Sequence, residues 1–106
     1  MKTKASLRND SQTNTSILQV ITPDRPGLLA QLANIFSRFD LTIFNAKIST
    51  LGERVEDTFY LRTHENQPLN DESVVEKLIQ TIREELDTRI QDGESNSLFQ
   101  SIKIGQ

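Results

Sequence analysis

A chain of 106 residues, 35% of them hydrophobic and 25% charged, has room for one domain and a modest core. At this size roughly 60–65% of the unfolded surface is buried on folding, which leaves apolar surface for a second chain to cover. The absence of Cys excludes disulfides, thiolate zinc sites, iron–sulfur clusters and a Cys nucleophile, and the single His does not make a transition-metal site by itself.

Twelve Lys and Arg against fifteen Asp and Glu give a net charge of −3, which offers no global attraction to phosphate backbones or anionic lipid. Neither nucleic acid nor a membrane is expected as a partner. No apolar run approaches the ~20 residues of a membrane span, and Met1 to Ser16 lacks the apolar centre of a signal peptide, so the expected location is the cytoplasm.

From Met1 to Thr15 the only large apolar residue besides Met1 is Leu7, among Ser, Thr, Asn, Gln, Lys, Arg and Asp. On that composition residues 1–15 are expected to be a flexible arm or linker, and residues 16–106 the folded domain. Ile17 to Ile21 is a short run rich in β-branched residues, closed by Thr22-Pro23-Asp24-Arg25-Pro26-Gly27, which predicts a strand and a sharp turn. Leu28, Leu29, Leu32, Ala33, Ile35, Phe36 and Phe39 then recur at three- and four-residue spacings, one broad face of a helix that should end near Asp40. Pro26 suits that helix's first turn, and Asp24 is placed to cap it.

Leu41 to Leu51 alternates, with Phe44, Ala46 and Ile48 on one side. After a turn at Gly52 and Glu53, Val55, Asp57, Phe59 and Leu61 alternate against Glu56, Thr58, Tyr60 and Arg62, so the two runs form an antiparallel hairpin. Past a loop from His64 to Asn70, Val74, Val75, Leu78, Ile79, Ile82 and Leu86 mark a second amphipathic helix, with Asp71 and Glu72 at its positive end. The polar stretch Gln91 to Ser97, with Gly93 in it, is expected to break this helix, and Leu98, Phe99, Ile102 and Ile104 to supply a last strand.

The order β-α-β-β-α-β predicts an α+β, ferredoxin-like fold: a four-stranded antiparallel sheet with both helices on one face. Phe36, Phe39, Phe44, Ile48, Phe59, Leu61, Leu78 and Ile82 are expected in its core. Asp57 shares a face with Val55 and Phe59 and therefore needs a donor or a place near the sheet's end.

A fold of this kind hosts many activities, so the sites must decide. The first strand has no aromatic for stacking RNA bases, and the first loop lacks the Cys pair of a copper chaperone. His64 has no nucleophile or carboxylate at a local spacing and reads as a loop residue. Glu56 and Asp57 point to opposite faces, and Glu84 and Glu85, beside Arg83 and Arg89, read as a solvated helix face. No catalytic residue, metal site or cofactor is therefore assigned.

The segment Thr22 to Leu29 stands apart. A Gly at the head of a helix leaves backbone N–H groups open at the positive end of its dipole, where a carboxylate can be held.

At these residues the chain resembles an ACT domain, a small ligand-sensing or assembly module of amino-acid metabolism. The resemblance rests on Asp24-Arg25-Pro26-Gly27-Leu28-Leu29, on the element order over Ser16 to Ile104, and on the block Asn45-Ala46-Lys47-Ile48-Ser49-Thr50-Leu51-Gly52-Glu53-Arg54-Val55-Glu56-Asp57 with Phe59. That block is most similar to the C-terminal ACT domain of bacterial PII uridylyltransferase/uridylyl-removing enzymes. The resemblance implies a regulatory, glutamine-responsive fragment or relative, without the nucleotidyltransferase and hydrolytic residues of such an enzyme. ACT domains commonly pair and bind an amino acid where the first loop of one meets the second strand of its neighbour. Carried over, this implies ligand-binding roles for Asp24, Arg25, Pro26, Gly27 and Leu28, facing Asn45, Ala46 and Lys47 of a partner. N–H groups near Gly27 and Leu28 would take an α-carboxylate, Asp24 an α-ammonium, and Asn45 a side-chain amide. The expected assembly is a homodimer or a pair with another ACT domain. The competing reading is a ligand-free ACT-type dimerisation or interaction module.

Overall fold

The computed structural model describes the backbone of residues 1–103 and the side chains of residues 1–88. The elements are β1 (Lys4–Asp10), β2 (Thr15–Pro23), α1 (Leu28–Arg38), β3 (Leu41–Lys47), β4 (Thr50–Leu51), β5 (Arg54–Thr63) and α2 (Glu72–Lys103). The strands form one antiparallel sheet in the order β1-β2-β5-β3, with the short β4 also paired to β5. This is the α+β, ferredoxin-like architecture.

Strand alternation decides what the sheet buries. Ser16, Leu18, Val20 and Thr22 of β2 and Val55, Asp57, Phe59 and Leu61 of β5 face one way and are buried. Leu28, Leu32, Ile35 and Phe36 of α1 and Leu78, Ile82 and Leu86 of α2 close over them. Phe36 and Phe59 meet edge to face at 5.1 Å between ring centroids, the arrangement their quadrupoles favour. Asp71 starts α2 by accepting the N–H groups of Ser73 (3.0 Å) and Val74 (3.4 Å) and the Ser73 hydroxyl (2.7 Å).

The strand beside β2 comes from the opposite end of the chain to the one the sequence predicts. A strand after α2, reached by a right-handed crossover, would lie on the free side of β2; β1 occupies that position, in register from Lys4 opposite Ile21 to Asp10 opposite Thr15. Residues 1–15 are therefore not a flexible arm. Their apolar content is low, but Ala5 and Leu7 pack against the core, and the ladder pairs the backbone groups that face β2. Side chains fix both ends. The Thr3 N–H (3.1 Å) and hydroxyl (2.8 Å) donate to Asp87 on α2, and the hydroxyl shares a 2.7 Å bond with Thr22. Asn9 donates to the Leu69 carbonyl and accepts from Ser16, which in turn takes the Leu69 N–H.

Residues 98–103, expected as the last strand, continue α2 instead, and Ile104 lies outside the described residues. A lone Gly93 costs a helix about 1 kcal/mol and contains no clash that would stop it. The structure corrects the core as well. Phe44 is 46% and Ile48 50% exposed, and Phe39 is only half-buried. β3 is an edge strand whose register slips between Ile43 and Asn45, so a single alternating pattern does not run through it. The Arg62 guanidinium lies over the Phe44 ring at 4.0 Å.

Candidate functional site

The turn between β2 and α1 is fastened from two sides. The Asp24 N–H donates to the Glu53 carbonyl at 2.9 Å, tying it to the β4–β5 turn. Arg25 ties it to α2: Nη1 donates to the Leu86 carbonyl at 2.6 Å and Nη2 to Gln31 Oε1 at 3.0 Å.

Gly27 is the N-cap of α1 at φ +78°, a left-handed conformation that costs side-chain-bearing residues but not Gly. A Cβ there would meet no atom within 4 Å, so the requirement is conformational rather than steric. No side chain caps this helix, and its first turn holds no acidic residue. Asp24 thus does not act as the cap, and Pro26 stands exposed ahead of the helix rather than in its first turn. The Leu28 N–H donates to the Arg25 carbonyl at 3.4 Å, and the other first-turn N–H groups face outward with no capping side chain.

That end opens into a cleft of about 270 Å³. One wall is Asp24, Arg25, Gly27, Leu28, Leu29 and Ala30; the other is Ile48, Thr50, Val55 and Asp57. Asp57 is 1% exposed, and its Oδ1 accepts the Ser49 N–H at 3.3 Å. Burial raises its carboxyl pKa above the ordinary aspartate value, the Ser49 N–H counters that, and the negative charge of Asp24 raises it further. A small cleft thus carries helix-end N–H groups at one wall and carboxylates at both, with Arg25, Thr50 and aliphatic side chains between them. A larger groove of about 690 Å³ runs along α2 past Lys2, Gln80, Arg83 and Asp87, but it is open, and its lining residues are exposed or half-buried.

Of the residues the sequence singles out, Asp24, Arg25, Gly27 and Leu28 share the cleft wall, whereas exposed Pro26 does not line it. Asn45, Ala46 and Lys47 do not line it: they lie exposed on β3, where Asn45 Oδ1 accepts the Ala46 N–H at 2.9 Å. Ile48, Thr50 and Asp57 line it instead. Asp57 left a trace in the sequence, a carboxylate at an inward position of an otherwise apolar strand face. Thr50 left none, because its position depends on the break between β3 and β4.

The ACT-domain profile matches residues 16–83. The chain is 49% identical over 83 residues to a bifunctional uridylyltransferase/uridylyl-removing enzyme of Stutzerimonas stutzeri, covering 78% of this chain and 9% of that enzyme. A protein of the same name from Pseudomonas putida is 48% identical over 83 residues, with the same coverage. Another from Pseudomonas syringae pv. tomato is 43% identical over 90 residues, 85% of this chain and 10% of the relative. The chain therefore spans about a tenth of the length of these relatives. Among the described residues no helix is long and apolar enough to cross a membrane.

Proposed function

The chain belongs to the ACT-domain family, and from that premise we propose that it is a regulatory amino-acid-sensing domain, responsive to glutamine and without catalytic residues of its own. The enzymatic activities named for the relatives would reside in parts of those proteins that this chain does not span, and the domain would work in the cytoplasm.

The observation that carries this reading is the cleft at the head of α1. An α-amino acid is a zwitterion whose two charges sit on one carbon. A helix N-terminus with no side-chain cap suits its carboxylate, and Asp24 on the same wall suits its ammonium. The aliphatic lining of Leu28, Leu29 and Ile48 suits the methylenes of a side chain. Asn45, Ala46 and Lys47 would come from a partner ACT domain, completing the site across an interface, with Asn45 reading the glutamine amide through one donor and one acceptor.

Titration calorimetry with glutamine and glutamate, together with amide chemical shifts, tests this. Glutamine is expected to bind weakly and to shift the resonances of Gly27, Leu28 and Asn45. Asn45→Ala should reduce the preference for glutamine over glutamate by the value of one neutral hydrogen bond, about 0.5–1.5 kcal/mol. No shift at these three residues in millimolar glutamine would sink the sensing reading.

A second reading is favoured by a separate observation. Leu29, Ile43, Phe44, Ile48 and Leu51 are all exposed, between 41% and 50%, and most belong to the β3–β4 side of the sheet. Such surface fits a module that pairs with another ACT domain or a second copy of itself and binds nothing small. Pairing without any heat from amino acids would favour it.

A further inference from the structure

The cleft contains a group that ligand sensing by the turn alone does not use. Asp57 is almost completely buried, yet at its end of the buried β5 face it also lines the cleft. Its Oδ1 takes one donor, the Ser49 N–H, at a long 3.3 Å; among the described residues no donor reaches Oδ2. Burying a carboxylate with so few donors is costly, and nothing in the packing of β5 requires it, because Val55, Phe59 and Leu61 on the same face are apolar.

The charges around it do not compensate. Asp24, of the same sign, is the charged neighbour that acts on Asp57. Arg25 shares the wall, but both of its terminal nitrogens donate toward α1 and α2, to Gln31 and Leu86. A buried acid facing a cleft beside a second acid, across from an uncapped helix end, has no ion-pair partner among the described residues.

We propose that Asp57 is the cleft's receptor for the ligand's ammonium group, with Asp24 as an auxiliary charge, so that the cleft selects primary α-ammonium acids over acids that lack the amine. This rests on the sensing function proposed above and moves its main ammonium contact from the exposed turn to the buried strand. An ion pair to a buried carboxylate is stronger than one at the surface, so a ligand charge at Asp57 counts toward specificity, whereas at exposed Asp24 it is largely screened.

The test is a cycle between ligand and protein, run by calorimetry on the full chain with glutamine and with glutaramate, the same molecule without its α-amine. The parent chain should bind glutamine at least tenfold more tightly than glutaramate. Asp57→Asn keeps shape and volume and should fold at least as stably as the parent, as judged by its melting curve. It should weaken glutamine tenfold or more, leave glutaramate nearly unchanged, and so erase the discrimination. Asp24→Asn should reduce the discrimination only partly. A structural role for Asp57 would instead weaken both ligands alike, and discrimination that survives in Asp57→Asn would overturn the proposal while leaving glutamine sensing intact. If the parent chain binds neither ligand, the sensing function fails and this assignment falls with it.

Discussion

The two edges of the sheet are built on opposite plans. β1, at one edge, is polar in sequence, and its attachment is a ladder plus side-chain bonds from Thr3 and Asn9 to β2, α2 and the loop before α2. β3, at the other, is rich in apolar residues, but only Leu41 is buried, its register slips, and Ile43 and Phe44 face outward. The difference teaches that apolar content does not say which edge strand is finished. A polar strand tied to its neighbours by a ladder and by side-chain bonds is a fastened edge; an apolar strand whose side chains stay largely exposed is an open one, suited to association.

The most severe way to break this comparison is to delete residues 1–12. β2 would lose its neighbour and the core its cover from Ala5 and Leu7, so the truncated chain should show no cooperative thermal unfolding by circular dichroism. A truncated chain that melts like the parent would mean that β1 is an accessory. A finer cut is Thr3→Val, nearly the same size but without the hydroxyl. It leaves buried Thr22 with one bond fewer and Asp87 with one donor fewer, which should lower stability by about 1–3 kcal/mol, read from the urea midpoint at an unchanged m-value.

A smaller effect of opposite sign should come from the strand between the edges. The Asp57 carboxyl has a raised pKa in the folded state, so the folded chain binds that proton more tightly than the unfolded one does. The resulting stabilisation is full below the ordinary aspartate value of 3.8 and is lost as pH rises through the raised value. At neutral pH the folded chain therefore carries the cost of the buried charge, and Asp57→Asn should melt higher than the parent. The gap should close as pH falls below 3.8; melting curves across that range check both the sign and the window.

The smallest change in stability is expected at the open edge. Ile43→Lys and Leu51→Lys touch exposed residues and should each stay within about 0.5 kcal/mol of the parent. Their effect belongs to association: a parent that sediments as a dimer at high micromolar concentration should become monomeric. Equal sedimentation of parent and variants would remove the contrast between the edges.

Much of the architecture was legible in the sequence. The periodicity of α1, the Val55–Leu61 alternation and the first half of α2 appear where the residue pattern places them, because in each the apolar period agrees with what the element buries. The first strand was missed because Thr3, Ala5, Leu7 and Asn9, which share the face toward the helices, alternate in position without alternating in hydropathy. The last strand was misplaced because Gly93 and its polar neighbours look like a break, whereas nothing there forbids a helix. At the candidate site, the Asp24 to Leu28 turn was visible as punctuation between two elements. Thr50 and Ile48 were not, since a slip in β3 and a two-residue strand decide which way they face. Asp57 was visible only as an inconsistency, a carboxylate where the pattern asks for an aliphatic side chain.

The placement of β1 beside β2 also sets the order in which the sheet is assembled. The two strands are joined by residues 11–14, so their hairpin closes a short loop, on the order of 1–10 μs. A ribosome adds about 5–20 residues per second, slow against that closure, so β1 and β2 are free to pair before β5 has emerged. A closing strand placed after α2 would instead have to find β2 across nearly the whole chain, a contact of high sequence separation that slows folding. With one side of β2 already occupied, β5 has a single side left on which to pair when it emerges. The nascent chain thus meets a template with its register already chosen on one flank, and the number of wrong sheets it can form shrinks accordingly.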